Sequence, residues 1–358
     1  GRARGVRVRD VLTGAEEELA CRAVVIAAGA WTDEVVRRFE IPIGRELLRR
    51  TKGVHAVIPH ERLPLARAIT MISPVDGRVM FAIPWRERTV IGTTDTDFTG
   101  AADDVHADAD DVRYLCDSAN GYFPNAQVRP EDVIATWAGL RPLIRAADGG
   151  AESDVSREHE IFVRDDGLII IAGGKLTTYR RMAKQAVRSA VKWLRDHDEL
   201  FEAAGRERAA TKHRPLPGGA GLDSPDLAGV AAIGRALITS HGLDGEVATH
   251  LCGVYGARAI ELAALIAADR ALAQRLNADL PYIWAEVEFA VRHDRARTVD
   301  DVLSRRVPLL LVGRDQGLDV CDAVADRLAA ALGWTADTRA HHVATYRTTV
   351  ADSRRFRG

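Results

Sequence analysis

The chain has 358 residues, 47% hydrophobic and 28% charged, with a formal net charge of −2. That length suffices for two or three domains with cores of their own, and the near-neutral balance gives no electrostatic reason to expect nucleic acid. Four dispersed cysteines (Cys21, Cys116, Cys252, Cys321) make no C-x-x-C pair. This argues against a disulfide framework or a metal site and predicts reduced thiols in a cytoplasmic setting. No apolar run reads as the roughly 20 residues needed to cross a bilayer, and no secretory signal opens the chain.

Gly5 to Arg9 and Glu18 to Ala27 are predicted strands around a Thr13-Gly14 turn. The second leads into Ala28-Gly29-Ala30 and a helix. Small residues at such a junction let backbone approach a ligand closely, and they equally suit a buried strand with a tight turn. Residues 34–100 change character. Lys52-Gly53-Val54-His55 to Pro59, Val79 to Trp85 and Thr89 to Gly92 read as strands, with Arg86-Glu87-Arg88 as a turn. Asp95-Thr-Asp97 begins like a calcium loop, but His106 stands where the loop needs its glutamate. Asp108 is a predicted N-cap with Asp111 on the first turn, and Val112, Leu115, Cys116 and Ala119 face inward.

Ala135 to Leu143 contains a strand predicted to end on Arg141, which Pro142 holds in extended geometry. An arginine fixed in this way suits a bidentate grip on phosphate or carboxylate, and it equally suits a structural ion pair. After a glycine-rich loop and Ser153 to Glu160, the apolar Leu168 to Ala172 reads as a buried strand. It runs into Gly173-Gly174-Lys175-Leu176-Thr177-Thr178-Tyr179-Arg180 and a helical pattern through Trp193. Two glycines at a strand-to-helix junction place free N–H groups and a positive dipole end beside closely approachable backbone, which suits an anion or an atom becoming anionic. The pattern also serves an ordinary turn. A Walker A loop is excluded, since Leu176 follows the lysine where Ser or Thr is needed. His213 to Pro225 is a Pro/Gly linker, and beyond it the pattern is helical. Helices are predicted over 257–276, 283–297, 319–332 and 338–350, with Thr298 to Asp301 as a capping signature.

Several of these strings occur together in one family. Gly173 to Arg180, Lys52-Gly53-Val54-His55, Ile83-Pro84-Trp85, Ile91-Gly92-Thr93-Thr94-Asp95 and Gly139-Leu140-Arg141-Pro142-Leu143 resemble, in order, segments of the FAD-dependent glycerol-3-phosphate dehydrogenases. Val254-Tyr255-Gly256 and Asp300 to Arg306 resemble their C-terminal helical domain. The strand into Ala28-Gly29-Ala30 is similar to the second nucleotide-binding signature of glutathione-reductase-like FAD proteins. The G-x-G-x-x-G fingerprint expected upstream is not found, so the chain reads as a C-terminal portion of such an enzyme.

The resemblance implies a mixed α/β and α+β fold. Residues 1–33 and 156–200 would form part of a glutathione-reductase-like FAD-binding domain, and 34–155 an antiparallel-sheet substrate domain. A linker over 201–225 would lead to an all-helical C-terminal domain over 226–358. It implies FAD as cofactor and oxidation of sn-glycerol 3-phosphate to dihydroxyacetone phosphate, with quinone as acceptor. Ala28, Gly29, Gly173, Gly174, Leu176, Thr177 and Thr178 would contact FAD, while Arg141, Arg157 and Lys175 would contact substrate. His55 is the candidate base, since an imidazole titrates near working pH, though a core histidine fits the strand equally well. At Arg157 the chain departs from the family's Thr-Arg-Asp-Tyr, having Ser156 before it and Glu158-His159 after it. A cytoplasmic location with peripheral membrane contact, and a homodimer, are compatible with the resemblance. Two alternatives stay open: an amine or amino-acid oxidase on the same scaffold, and a non-catalytic piece unable to hold FAD alone.

Overall fold

The computed structural model describes residues 2–145, 158–198, 210–222 and 228–358. In chain order the strands are β1 (Gly5–Arg9), β2 (Glu16–Ala20), β3 (Val24–Ile26), β4 (Leu48–Pro59), β5 (Ile69–Ile72), β6 (Val79–Trp85), β7 (Arg88–Gly92), β8 (Thr96–Asp97), β9 (Ala135–Ile144), β10 (His159–Val163) and β11 (Leu168–Gly173). The helices are α1 (Thr32–Arg38), α2 (Ala109–Tyr122), α3 (Tyr179–His197), α4 (Ala228–His241), α5 (Gly245–Tyr255), α6 (Ala259–Ala268), α7 (Trp284–Arg292), α8 (Leu309–Val312), α9 (Cys321–Leu332) and α10 (Ala336–Ser353). They fall into two compact units. One comprises residues 1–53, 94–105 and 138–208, the other 54–93, 106–137 and 209–358.

The first unit is built on a three-stranded sheet. Its central strand β11 runs antiparallel to β10 and parallel to β3, with Ile170 opposite Phe162 on one side and Ile26 on the other. Leu168 to Ala172 is apolar without alternation because a central strand covered on both faces needs apolar side chains throughout. Ile170 and Ala172 share a core with Ile26, Val36, Leu47 and Ile144. Asp33 on α1 accepts the N–H groups of Leu47 and Leu48 at 2.8 and 3.0 Å, which fixes the entry into β4.

Two expectations are corrected here. The strand predicted over 18–27 is broken, because the Cys21 N–H pairs with Arg4 while that of Val24 pairs with Gly167. The chain leaves the β1–β2 hairpin and joins a different sheet. Nor does a strand end at Arg141: β9 continues to Ile144. Its partner among the described strands is β4, so the missing N–H of Pro142 falls where an edge strand tolerates it.

The second unit contains an antiparallel run β5-β6-β7-β4, with Met71 opposite Met80, Ala82 opposite Ile91, and Val57 opposite Val90. In β6, Met80 and Ala82 are buried while Val79 and Phe81 are exposed, the alternation of a strand with one covered face. The predicted cap of α2 forms reciprocally, Asp111 N–H to Asp108 at 2.9 Å and Asp108 N–H to Asp111 at 3.1 Å.

The helical part belongs to this same unit. Two of its helices are shorter than the periodicity predicts, while α10 extends past its predicted ends at both sides. The first stops at Ala268 before a tight turn over Arg270–Ala273, and α7 ends at Arg292, where His293 stacks on Phe289. The Thr298/Asp301 pair caps as expected, but it opens a wide π-wound turn over Asp301–Arg306. Contrary to the sequence expectation, the 24-residue stretch Gly245–Ala268 contains an 18-residue window of mean hydropathy 1.5, long and apolar enough by composition to cross a membrane. It is two helices, α5 and α6, broken at Gly256, whose φ is 57°. Leu251, Leu262 and Ile266 are buried in a core shared with Leu237 and Phe289.

The helices grip the antiparallel run at its β6–β7 turn. Arg88 is 7% exposed and donates from Nε to the Val312 carbonyl at 2.8 Å. Burial, with Arg314 nearby, holds its pKa below the usual guanidinium range. The Tyr282 hydroxyl donates to Glu87 at 3.2 Å and lies 3.3 Å from Arg86.

Candidate active site

In the first unit, β3 and β11 are adjacent and parallel, so the turns leaving their carboxyl ends lie at one end of the sheet. Those turns are the two predicted to meet a dinucleotide. After β3 the chain passes Ala28 and enters a tight turn at Gly29, which leads into α1; the Thr32 hydroxyl donates to the Gly29 carbonyl at 2.8 Å. After β11 come Gly173 and Gly174 with φ of 73° and 90°, backbone that only glycine adopts at little cost. A methyl group on Gly173 would also sit 2.7 Å from the Glu158 carbonyl oxygen.

Lys175 is extended and solvent-exposed, and a tight turn over Leu176–Thr178 leads into α3. The helix therefore begins four residues after the lysine. The Lys175 carbonyl accepts both the N–H and the hydroxyl of Thr178 at 3.0 Å. No side chain caps either start, and Leu176, Thr177 and Thr178 are exposed. An uncapped helix start with exposed backbone donors suits an electronegative ligand edge, and the carboxyl ends of parallel strands are where open α/β sheets bind nucleotides. These turns fit a flavin dinucleotide.

Arg141 belongs to the same unit. Its Nη1 donates to Asp95 at 3.0 Å and its Nη2 to the Thr94 carbonyl at 3.1 Å, with both side chains partly exposed. The guanidinium lies directly over Gly53. The sequence reading missed Asp95 as its partner, although Asp95 closes one of the family strings; its signal was absorbed into the rejected calcium loop. Arg157 lies outside the described residues.

His55 stands in the second unit, on β4, directly opposite Gly92 of β7. Its imidazole covers that glycine, where a methyl group would come within 2.1 Å of Cδ2. Its ring stacks on Trp137 at 5.0 Å and 20°. Gly92 and Trp137 had not been singled out for this role; the signal for Gly92 was its place in Ile91-Gly92-Thr93-Thr94-Asp95, and that for Trp137 its place in the strand predicted within Ala135 to Leu143.

Two sequence families match. Residues 1–180 match the family described as FAD dependent oxidoreductase, and residues 209–339 match that described as the C-terminal domain of alpha-glycerophosphate oxidase. The chain belongs to the FAD dependent oxidoreductase family. More narrowly, it is 36% identical over 344 residues to the aerobic glycerol-3-phosphate dehydrogenase of Staphylococcus haemolyticus (strain JCSC1435), covering 93% of this chain and 58% of that protein. It is 32% identical over 338 residues to the mitochondrial glycerol-3-phosphate dehydrogenase of Homo sapiens, covering 93% of this chain and 44% of that one. The solved glycerol-3-phosphate dehydrogenase from Bacillus halodurans, complexed with FAD, superposes with a TM-score of 0.82 at 29% identity. That match covers 98% of this chain and 66% of the other. The chain thus spans about half the length of the curated relatives it matches.

Proposed function

We propose that this chain carries the substrate-handling and flavin-facing parts of an enzyme that oxidises sn-glycerol 3-phosphate to dihydroxyacetone phosphate, with quinone as the final acceptor. The observation that supports this best is the meeting of the Ala28-Gly29 and Gly173-Gly174 turns at the carboxyl ends of paired parallel strands. The similarity to glycerol-3-phosphate dehydrogenases over 93% of the chain supports the substrate class.

FAD, when bound, supplies the acceptor for the C2 hydride. Gly173, Gly174, Leu176 and Thr177 offer backbone donors to the pyrimidine edge of the ring system, Thr178 closes the turn that presents them, and Ala28 and Gly29 line the dinucleotide. Arg141 and Arg157 hold the phosphate. Lys175 polarises the C2 oxygen, and His55 takes the hydroxyl proton. Work at the cytoplasmic face of the membrane, as a homodimer, belongs to the same proposal.

The test is a visible absorption spectrum of the purified chain with FAD added, followed by anaerobic addition of sn-glycerol 3-phosphate. A flavin band that bleaches is the expected result. Bleaching with an amine instead would replace the substrate class with that of an amine oxidase, and a protein that retains no flavin would reduce the chain to a non-catalytic piece.

A further inference from the structure

His55 is the third member of a ladder of rings that begins at Trp85, against the helical part of its own unit. Trp85, at the end of β6, packs against the core formed by the C-terminal helices. The next residues of that turn are gripped by Tyr282, which contacts Arg86 and Glu87, and by Val312, which accepts from Arg88. Arg86 also places its guanidinium 5.3 Å from the centre of the Trp85 ring. Trp85 meets Trp137 at 5.6 Å and 55°, and Trp137 stacks on His55 at 5.0 Å and 20°. On the neighbouring strand, Gly92 leaves the space the imidazole fills.

A histidine that moves a proton must present one nitrogen in one direction, and a ring free to turn about χ2 does not. The Trp137 face removes that freedom. Trp137 in turn is set by Trp85, which the helices hold.

We propose that Trp137 is the positioning residue for the His55 imidazole, and that the C-terminal helices serve the reaction by bracing Trp137 through Trp85. The inference rests on the reading of His55 as the base.

The experiment compares Trp137→Leu, Trp137→Phe, Trp85→Leu and His55→Gln in the full chain. Two readouts are used. In proton–carbon spectra with labelled histidine, the His55 signal is identified by its loss in H55Q. Its ring protons should lie upfield in the parent chain, from the indole ring current. They should move toward unstacked histidine values in W137L and in W85L, and stay close to the parent in W137F. This readout does not require the cofactor, and an unmoved signal in folded W137L overturns the proposal.

In FAD-loaded protein, W137L should lower kcat for sn-glycerol 3-phosphate about 10- to 100-fold, the size of a misplaced catalytic group, with KM nearly unchanged. W137F should recover most of the loss. W137L should add nothing on the H55Q background. An H55Q enzyme with parental kcat would defeat the base reading itself. A large H55Q loss beside a parental W137L would defeat only the positioning role.

Discussion

Arg141 lies so close over Gly53 that a methyl group there would come within 2.5 Å of Nη2 and 2.7 Å of Nη1. Gly53 is buried within β4, and the arginine is spanned by Asp95 and the Thr94 carbonyl. The glycine in Lys52-Gly53-Val54-His55 thus makes room for an arginine 88 positions later in the chain. Gly53→Ala forces the guanidinium, the mobile end of its side chain, off Asp95 and the Thr94 carbonyl. The backbone at Gly53 is ordinary strand, so the fold should survive within about 1 kcal/mol. The KM for sn-glycerol 3-phosphate should rise about 10-fold, the equivalent of one charge-assisted contact. Steady-state kinetics beside a thermal melt measure both, and an unchanged KM would remove Arg141 from the phosphate site.

Lys175→Met separates chemistry from folding. The lysine side chain is exposed at the uncapped start of the turn before α3, and its loss should leave stability within about 0.5 kcal/mol. Flavin content should hold, because the donors facing that ligand are backbone groups. Turnover should fall about 100-fold or more, as when one donor to a developing oxyanion is lost. A variant with full turnover in the flavin-loaded state would end the assignment.

Local signals and distant ones differ in what the chain reveals. β1 and β6 fall on the predicted residues, since alternation and adjacent turn residues are written within the segment. The α2 cap was readable because both its partners lie three residues apart. The Gly173-Gly174 turn was readable for the same reason. What stayed hidden depends on separation: Asp95 with Arg141, Trp137 with His55, and Arg88 with Val312, 224 residues away. Nothing in a strand's own pattern says that a later helix will supply a carbonyl to its arginine. The Gly245–Ala268 stretch failed in the opposite sense. Its apolar composition is plain, but the break at Gly256 and the burial against α4 and α7 are tertiary facts.

Asp166→Asn tests the electrostatics of the β10–β11 turn. Asp166 accepts from Arg164 at 2.8 Å and from the Leu168 N–H at 3.2 Å, while Arg164 also donates to the Pro42 carbonyl at 2.8 Å. Hydrogen bonding to Arg164, opposed by some desolvation and aided by the Leu168 N–H, holds the Asp166 carboxyl below the usual carboxylate range. A depressed folded pKa stabilises the protein above the unfolded value of about 3.9, and that stabilisation disappears as pH falls through the folded pKa. The asparagine variant should therefore be less stable by about 1 kcal/mol at neutral pH. The gap to the parent should close on the acid side. A gap that stays constant down to acid pH would assign the loss to packing instead of charge.

Glu286 offers the sharpest test of whether sheet and helices in the second unit fold together. It is fully buried. One carboxylate oxygen accepts from His250 Nε2 at 2.8 Å and from the Tyr255 hydroxyl at 3.1 Å, and the other accepts the Ile283 N–H at 2.8 Å. Burial, with the carboxylate beside it, pushes the Tyr255 hydroxyl well above the usual phenol range, so it stays a donor. His250 also sets its ring edge-on to Tyr282 at 4.5 Å, the residue that grips Glu87. Glu286→Ala leaves three buried donors without their acceptor and should cost about 3–5 kcal/mol. Glu286→Gln keeps the shape and one acceptor oxygen and should cost less. Urea unfolding read by far-ultraviolet dichroism reports mainly the helices, and the fluorine signals of Trp85 and Trp137 in fluorotryptophan-labelled protein, resolved from those of Trp31, Trp193, Trp284 and Trp334, report the sheet. If Arg88, Tyr282 and the packing of Trp85 bind the two into one cooperative body, both signals should shift to lower urea together in Glu286→Ala. If the helical signal alone moves and a second transition opens, the helices are a separately folding part. The brace proposed for His55 would then lack its anchor.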